Sequence, residues 1–180
     1  MKCDTLNSFL MRDLISIPRV KNLHPAIAPE AEMIINSVET GFPKNIAVRI
    51  TQGLRTFAEQ DALYAQGRTT SGSIVTKAKG GQSYHNYGLA IDFSLLHDKD
   101  NNGTYEEISW NMNTDWDGDH IKDWSEVVNY FLAAKWEWGG VWKKMKDNPH
   151  FQKRFNLDWR DLLIKYNNEQ FIPGTKYIKL

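Results

Sequence analysis

The chain of 180 residues holds a single cysteine, Cys3, so no internal disulfide can form and the fold does not depend on an oxidising compartment. An excess of charge is also missing. Lys+Arg and Asp+Glu number 22 each, for a net charge of zero. A protein whose main partner is nucleic acid usually carries a basic excess, so that class is set aside. No apolar run approaches the roughly 20 residues of a membrane span, which argues against membrane insertion. Residues 1–12 lack the basic, apolar, small-residue order of a signal peptide, and no apolar stretch precedes Cys3 to make it a lipid-attachment site. There is no internal repeat and no low-complexity linker.

What the chain does have is ordinary globular composition, 41% hydrophobic and 24% charged, with seven Trp, seven Tyr and eight Phe. Such aromatics pack a core or line a groove for sugar or peptide. The length suits one domain over residues 1–180 with a sizeable core. Residues 8–39 read as helical, punctuated by Pro25 and Pro29, the latter suited to a first helical turn. Apolar alternation predicts a strand over 46–51, and a helix follows over 56–66, stopping at Gly67. Residues 71–82 read as a loop and 89–96 as a buried strand. Residues 97–124 form a polar insertion rich in Asp, Asn and Gly. A helix over 125–135, a short strand at 136–138, a helix over 158–166 and a terminal strand at 177–180 complete the reading. Strands and helices mix without a βαβ rhythm, so the class is α+β.

Three residues then stand out: His85, Asp92 and His150. Two imidazoles and a carboxylate are a ligand set for catalytic zinc, which keeps a fourth position open for water. Asp92 falls in the buried strand, where an unpaired charge is costly and a metal would satisfy it. A turn at Gly88 lets His85 on a loop face Asp92 on the next strand. Asp147, three residues before His150, can act on the water as a base. Among the other histidines, His24 sits before Pro25 in a turn and is expected on the surface. His97 and His120 lie in the polar insertion and are left out of the zinc set.

The run from Ser83 to Asp92 has the form Ser-x-His-x-x-Gly-x-Ala-x-Asp, and Asp147 and His150 give an acidic residue, two others and a histidine. With Trp138-Gly139-Gly140, and with Arg55, Gln60 and Gly67-Arg68 upstream, the chain resembles the M15 family of zinc peptidases over roughly residues 20–180. Within that family it is most similar to the L-alanyl-D-glutamate peptidases of phage endolysins. The resemblance implies a Hedgehog/DD-peptidase-like fold, a small antiparallel sheet flanked by helices. It implies zinc held by His85, Asp92 and His150, Asp147 as general base, and Arg55, Ser83 and Gln60 at the substrate. One departure is Val141, where that branch often has Asp.

Two stretches of the insertion resemble calcium loops. Asp98, Asp100, Asn102 and Gly103 open one that ends at Ser109 instead of Glu. Asp115, Asp117, Asp119, Asp123 and Glu126 have the full acidic spacing, but with His120 in the place of glycine and Lys122 in that of an apolar residue. The alternatives are a solvated acidic insertion and a calcium site beside the active site.

The expected function is hydrolysis of the L-alanyl-D-glutamate bond of the peptidoglycan stem peptide by a monomeric zinc enzyme. The alternatives are a D-alanyl-D-alanine carboxypeptidase and a zinc-bearing binding module without catalysis. A calcium-regulated interaction protein would leave His85 and His150 unexplained. No separate wall-binding domain is expected. It is expected to be made in the cytoplasm and to reach the wall by holin-type or other release that needs no signal peptide.

Overall fold

The computed structural model describes residues 11–180. Cys3, the signal-peptide reading for all but its last two residues, and the start of the helix expected over 8–39 lie outside them. The rest of that helix is two pieces, α1 (Ser16–Lys21) and α2 (Ala28–Gly41), with Pro29 in the first turn of α2 as expected. The alternating Ile46, Val48 and Ile50 build β1 (Ile46–Gln52). Next, α3 (Phe57–Ala65) starts at Thr56, whose hydroxyl accepts from the Glu59 N–H while the Glu59 carboxylate accepts from the Thr56 N–H. After the 71–82 loop come β2 (Ala90–His97) and a short β3 (Glu107–Ser109) inside the polar insertion. Then follow α4 (Asp123–Ala133), β4 (Glu137–Trp138), β5 (His150–Gln152) and α5 (Trp159–Asn167), the last capped by Asp158.

The strands pair antiparallel in the order β1-β2-β5-β4, with β3 also against β2. β2 is therefore the centre of the sheet. Its side chains alternate, and Ile91, Phe93 and Leu95 are fully buried. On that side Phe93 meets Trp124 of α4 at 4.2 Å between ring centroids, and Phe151 of β5 stacks on Phe131 of α4 at 4.6 Å. The opposite register of residues, Asp92 on β2 and His150 and Gln152 on β5, is left for chemistry. The same α+β class with a small antiparallel sheet was expected.

Four expectations need correction. His24 is buried, and its Nε2 lies 2.9 Å from Ile178 O, because the 171–178 segment folds back over it. The helix expected from residue 125 begins at Asp123, and Trp124 is core instead of polar insertion. The terminal strand at 177–180 is only an isolated bridge, because the turn at Pro173-Gly174 brings Ile178 alone opposite Phe171. In the other direction, β5 was not expected at all. Three residues carry no periodicity to read.

Candidate metal centre and active-site cleft

Asp92 and His150 are cross-strand partners in the β2–β5 register, so strand pairing alone sets the carboxylate opposite the imidazole. His85 comes from a single 3-10 turn, Tyr84–Tyr87, which leads into β2. That turn is fastened at both ends. Ser83 Oγ accepts from the His85 N–H at 3.3 Å, and Asn86 Oδ1 accepts from the Ser83 N–H at 3.3 Å. Gly88 closes it at φ 68°, where a side chain would be strained and its Cβ would lie 2.8 Å from the His24 nitrogen. This is the physical reason for glycine in the motif.

His85 Nε2 lies 3.2 Å from Asp92 Oδ1 and 3.2 Å from His150 Nδ1, and His150 Nδ1 lies 3.0 Å from Asp92 Oδ1. The outer nitrogens fix the direction of each ring. His85 Nδ1 donates to the Gly53 carbonyl at 2.8 Å, so in the neutral ring Nε2 turns a lone pair inward. His150 Nε2 donates to Gln152 Oε1 at 3.0 Å, turning the Nδ1 lone pair inward. Two lone pairs and a carboxylate oxygen thus face one another, and a shared cation satisfies all three. Ligand atoms about 2.0–2.1 Å from a tetrahedral zinc stand roughly 3.3 Å apart, so the donor set and its spacing fit that ion.

The electrostatics point the same way. Burial pushes the Asp92 carboxyl up, but His85 and His150 beside it outweigh burial and hold it far below the usual carboxylate range. Burial pushes the His150 imidazole down, and Asp92 more than offsets this, leaving it raised. Both shifts express a demand for positive charge at this point.

Around the group opens a cleft of about 560 Å³, lined among others by Arg55, Ser83, Asp147, Trp142 and Arg154. Arg55 is clamped by its backbone to the His85 turn: its N–H donates to His85 O at 3.0 Å, and Asn86 donates to its carbonyl at 3.0 Å. Its guanidinium stands 3.6 Å from Asp92 Oδ2 and donates to Gln60 Oε1 at 2.9 Å. Gln60, expected at the substrate, is fully buried and donates in turn to Ala78 O at 2.8 Å. It holds Arg55 and the 76–78 segment in place and does not itself reach the cleft.

Asp147 also lines the cleft, and its backbone is tied to Gly139 O at 3.1 Å. A Cβ at residue 139 would lie 2.5 Å from Asp147 O, so glycine there lets the two segments touch. Burial first, and then the charge of Asp92, push the Asp147 carboxyl above its ordinary value. That is the direction a proton-accepting base needs. Val141 is 67% exposed, away from the packed part of the site. Sequence reading missed Trp142, whose ring lies 5.1 Å from that of His150, and Gln152 and Arg154 beside it. The i, i+2 spacing of His150 and Gln152 on one strand face was the available signal, once β5 was known.

The acidic loop is also drawn together. Ligand atoms of Asp115, Asp117 and Asp123, and of Asp117, Asp119 and Glu126, lie within 4.8 Å of one another, as do those of Asp98, Asp100 and Glu106. Yet the backbone supplies partners for the four aspartates of the 115–126 loop, while Glu126 Oε2 is buried without one. Asp115 accepts from the Gly118 N–H at 2.9 Å, Asp117 from Asp119 at 3.2 Å, Asp119 from Ile121 at 2.7 Å and buried Asp123 from Trp116 at 3.1 Å. Asp98 likewise accepts from Asn102 and Gly103. His120, in the place of glycine, adopts φ 73°, and His97 stacks on Trp116 at 4.4 Å, apart from the His85 group.

Comparison with known proteins places the chain among peptidoglycan peptidases. Residues 76–153 match the family model Peptidase_M15_4, described as D-alanyl-D-alanine carboxypeptidase. The chain is 45% identical over 139 residues to the peptidoglycan L-alanyl-D-glutamate endopeptidase CwlK of Bacillus subtilis (strain 168), covering 77% of this chain and 78% of that protein. The crystal structure of Serratia marcescens L-Ala D-Glu endopeptidase ChiX shares the fold, with a TM-score of 0.50 at 21% identity, covering 82% of this chain and 90% of that one. The chain belongs to the M15 peptidase family.

Proposed function

We propose that the protein is a monomeric zinc peptidase that cleaves the L-alanyl-D-glutamate bond of the peptidoglycan stem peptide. The observation that carries this is the convergence of the His85 and His150 lone pairs on Asp92 Oδ1 inside an open cleft. The specific bond is favoured by 45% identity to CwlK, an enzyme named for it.

His85, Asp92 and His150 would hold the ion. Zinc, when bound, supplies the Lewis-acid chemistry of amide hydrolysis. Asp147, raised by burial and by Asp92, takes the proton of the attacking water and returns it to the leaving amine. Arg55, oriented by Gln60 and by the His85 turn, offers a fixed cation to the developing oxyanion or to a substrate carboxylate. Ser83 and Trp142 line the approach and orient the peptide. Action at a cell wall and a lysis role of phage type belong to the same proposal and rest on the resemblance alone. Calcium in the 115–126 loop is supported only by the gathering of its carboxylates and by the buried, unpartnered Glu126 Oε2.

The description of the matching family model favours a second reading, release of terminal D-alanine. Mass spectrometry of purified peptidoglycan digested by the zinc-loaded wild type and by Asp147→Ala separates the two. The endopeptidase releases stem peptides that begin at D-glutamate, with the wild type only. Loss of D-alanine alone would establish the carboxypeptidase, and no cleavage by either protein would leave a zinc-bearing binding module.

A further inference from the structure

Beyond the ligands, a chain of polar side chains leads away from His150 along the sheet. His150 Nε2 meets Gln152 Oε1 at 3.0 Å, Gln152 Nε2 meets Glu137 Oε2 at 3.0 Å, and that same oxygen meets Arg154 Nε at 2.8 Å. The sheet register produces this chain. Gln152 follows His150 by two residues on β5 and so shares its face, and Glu137 is the cross-strand partner of Gln152 on β4. Gln152 is buried, at 3% exposure, while Glu137 and Arg154 stand half open to solvent.

The chain has a direction. A carboxylate only accepts, so Glu137 draws the amide N–H₂ of Gln152 toward itself. That leaves the Gln152 carbonyl oxygen facing His150. An amide oxygen also only accepts, so it requires a hydrogen on His150 Nε2. In a neutral ring the lone pair is then on Nδ1, the atom that faces His85 and Asp92. The partner imidazole needs no such chain, because a backbone carbonyl, Gly53 O, performs the same task for His85. His150 is thus the one ligand of the pair whose tautomer depends on side chains.

We infer that Gln152 and Glu137 are positioning residues of the metal centre: Glu137 orients the Gln152 amide, which holds His150 in the tautomer that ligates through Nδ1. The inference rests on the metal reading given above. Arg154 anchors the outer end of the chain and keeps the Glu137 carboxylate in place from the cleft side.

The test is zinc affinity of the full chain by chelator competition, with the visible spectrum of the cobalt(II)-loaded protein as a second readout. Gln152→Leu removes the acceptor and should weaken zinc binding about 10- to 100-fold, with a changed cobalt spectrum. Gln152→Glu alone sets two carboxylates against each other and should also weaken it. Gln152→Glu combined with Glu137→Gln reverses donor and acceptor between the two strands, giving up the Arg154 contact at that atom, yet keeps an acceptor on His150, and should recover affinity and spectrum relative to Gln152→Glu alone. A merely structural role would not predict that rescue. Should Gln152→Leu fail to fold, Glu137→Gln decides: weaker binding alone and recovery in the double variant support the chain. Wild-type affinity and spectrum in both single variants, or a double variant no better than Gln152→Glu, would overturn it. A wild type that binds no zinc would take down this inference and the metal reading together, whereas unaffected single variants would remove this inference alone.

Discussion

Two regions of the molecule gather side chains of the kind that bind metals: the His85, Asp92 and His150 group and the acidic 115–126 loop. By distance alone they look alike. They differ in what each polar atom already has. In the loop, four of the five carboxylates accept from backbone N–H groups of the same segment. Such turns form because Asp side chains satisfy their own backbone, and they need no ion. In the sheet, the outer nitrogen of each imidazole is committed to an oxygen, and the inner atoms are three acceptors turned on one another. The lesson is that proximity of acidic groups is cheap, whereas acceptors held convergent by strand register demand a cation.

The sharpest way to break this comparison is to remove one member of the sheet group. His85→Ala should lose zinc and lower peptidoglycan hydrolysis by on the order of 10³-fold or more, since the Lewis acid is worth several kcal/mol. A digest assay with parallel metal analysis reads both. Next comes Asp147→Asn, expected to cost about 10²- to 10⁴-fold in kcat while zinc content stays at the wild-type level. Loss of zinc in that variant would make Asp147 part of the metal site instead of the base. Arg55→Lys keeps the charge but loses the fork that meets both Gln60 and Asp92. A charge-assisted bond worth about 1.5–3 kcal/mol predicts a loss of roughly 10- to 150-fold in kcat/KM.

The smallest effect belongs to the loop, and it is one of stability. Burial, and then Asp117, Asp119, Asp123 and Asp115, raise the Glu126 carboxyl to about 7 from an ordinary 4.5. The folded protein therefore holds a proton there that the unfolded chain has released. Stability falls as pH rises between about 4.5 and 7 and is flat, with respect to this group, outside that window. Glu126→Gln removes the penalty, so it should raise Tm by roughly 2–4 °C at pH 8 and change it little at pH 4.5, with hydrolysis unaltered. Thermal melts at the two pH values check this.

Much of the site was legible before any coordinates. His85 and Asp92 announce themselves because a glycine-closed turn and a strand are local events, spelled out in ten consecutive residues. Pro29 and the alternation of residues 46–50 were equally local. What could not be read was long-range. Gln60 looked like a substrate contact until its burial turned it inward to hold Arg55. β5 is three residues long, and only pairing with β2 makes it a strand, so the alliance of His150, Gln152 and Glu137 had no signature in sequence. His24 was assigned to the surface because its cover, Ile178, comes from the far end of the chain. Trp124 was lost among its acidic neighbours.

The central claim is that the sheet group, and not the loop, holds a metal. Its most direct test is zinc analysis of dialysed wild type, His85→Ala, and the loop double variant Asp117→Asn with Asp119→Asn. The account predicts equimolar zinc in the wild type and in the loop variant, and none in His85→Ala. Zinc retained by His85→Ala, or lost from the loop variant alone, would contradict it.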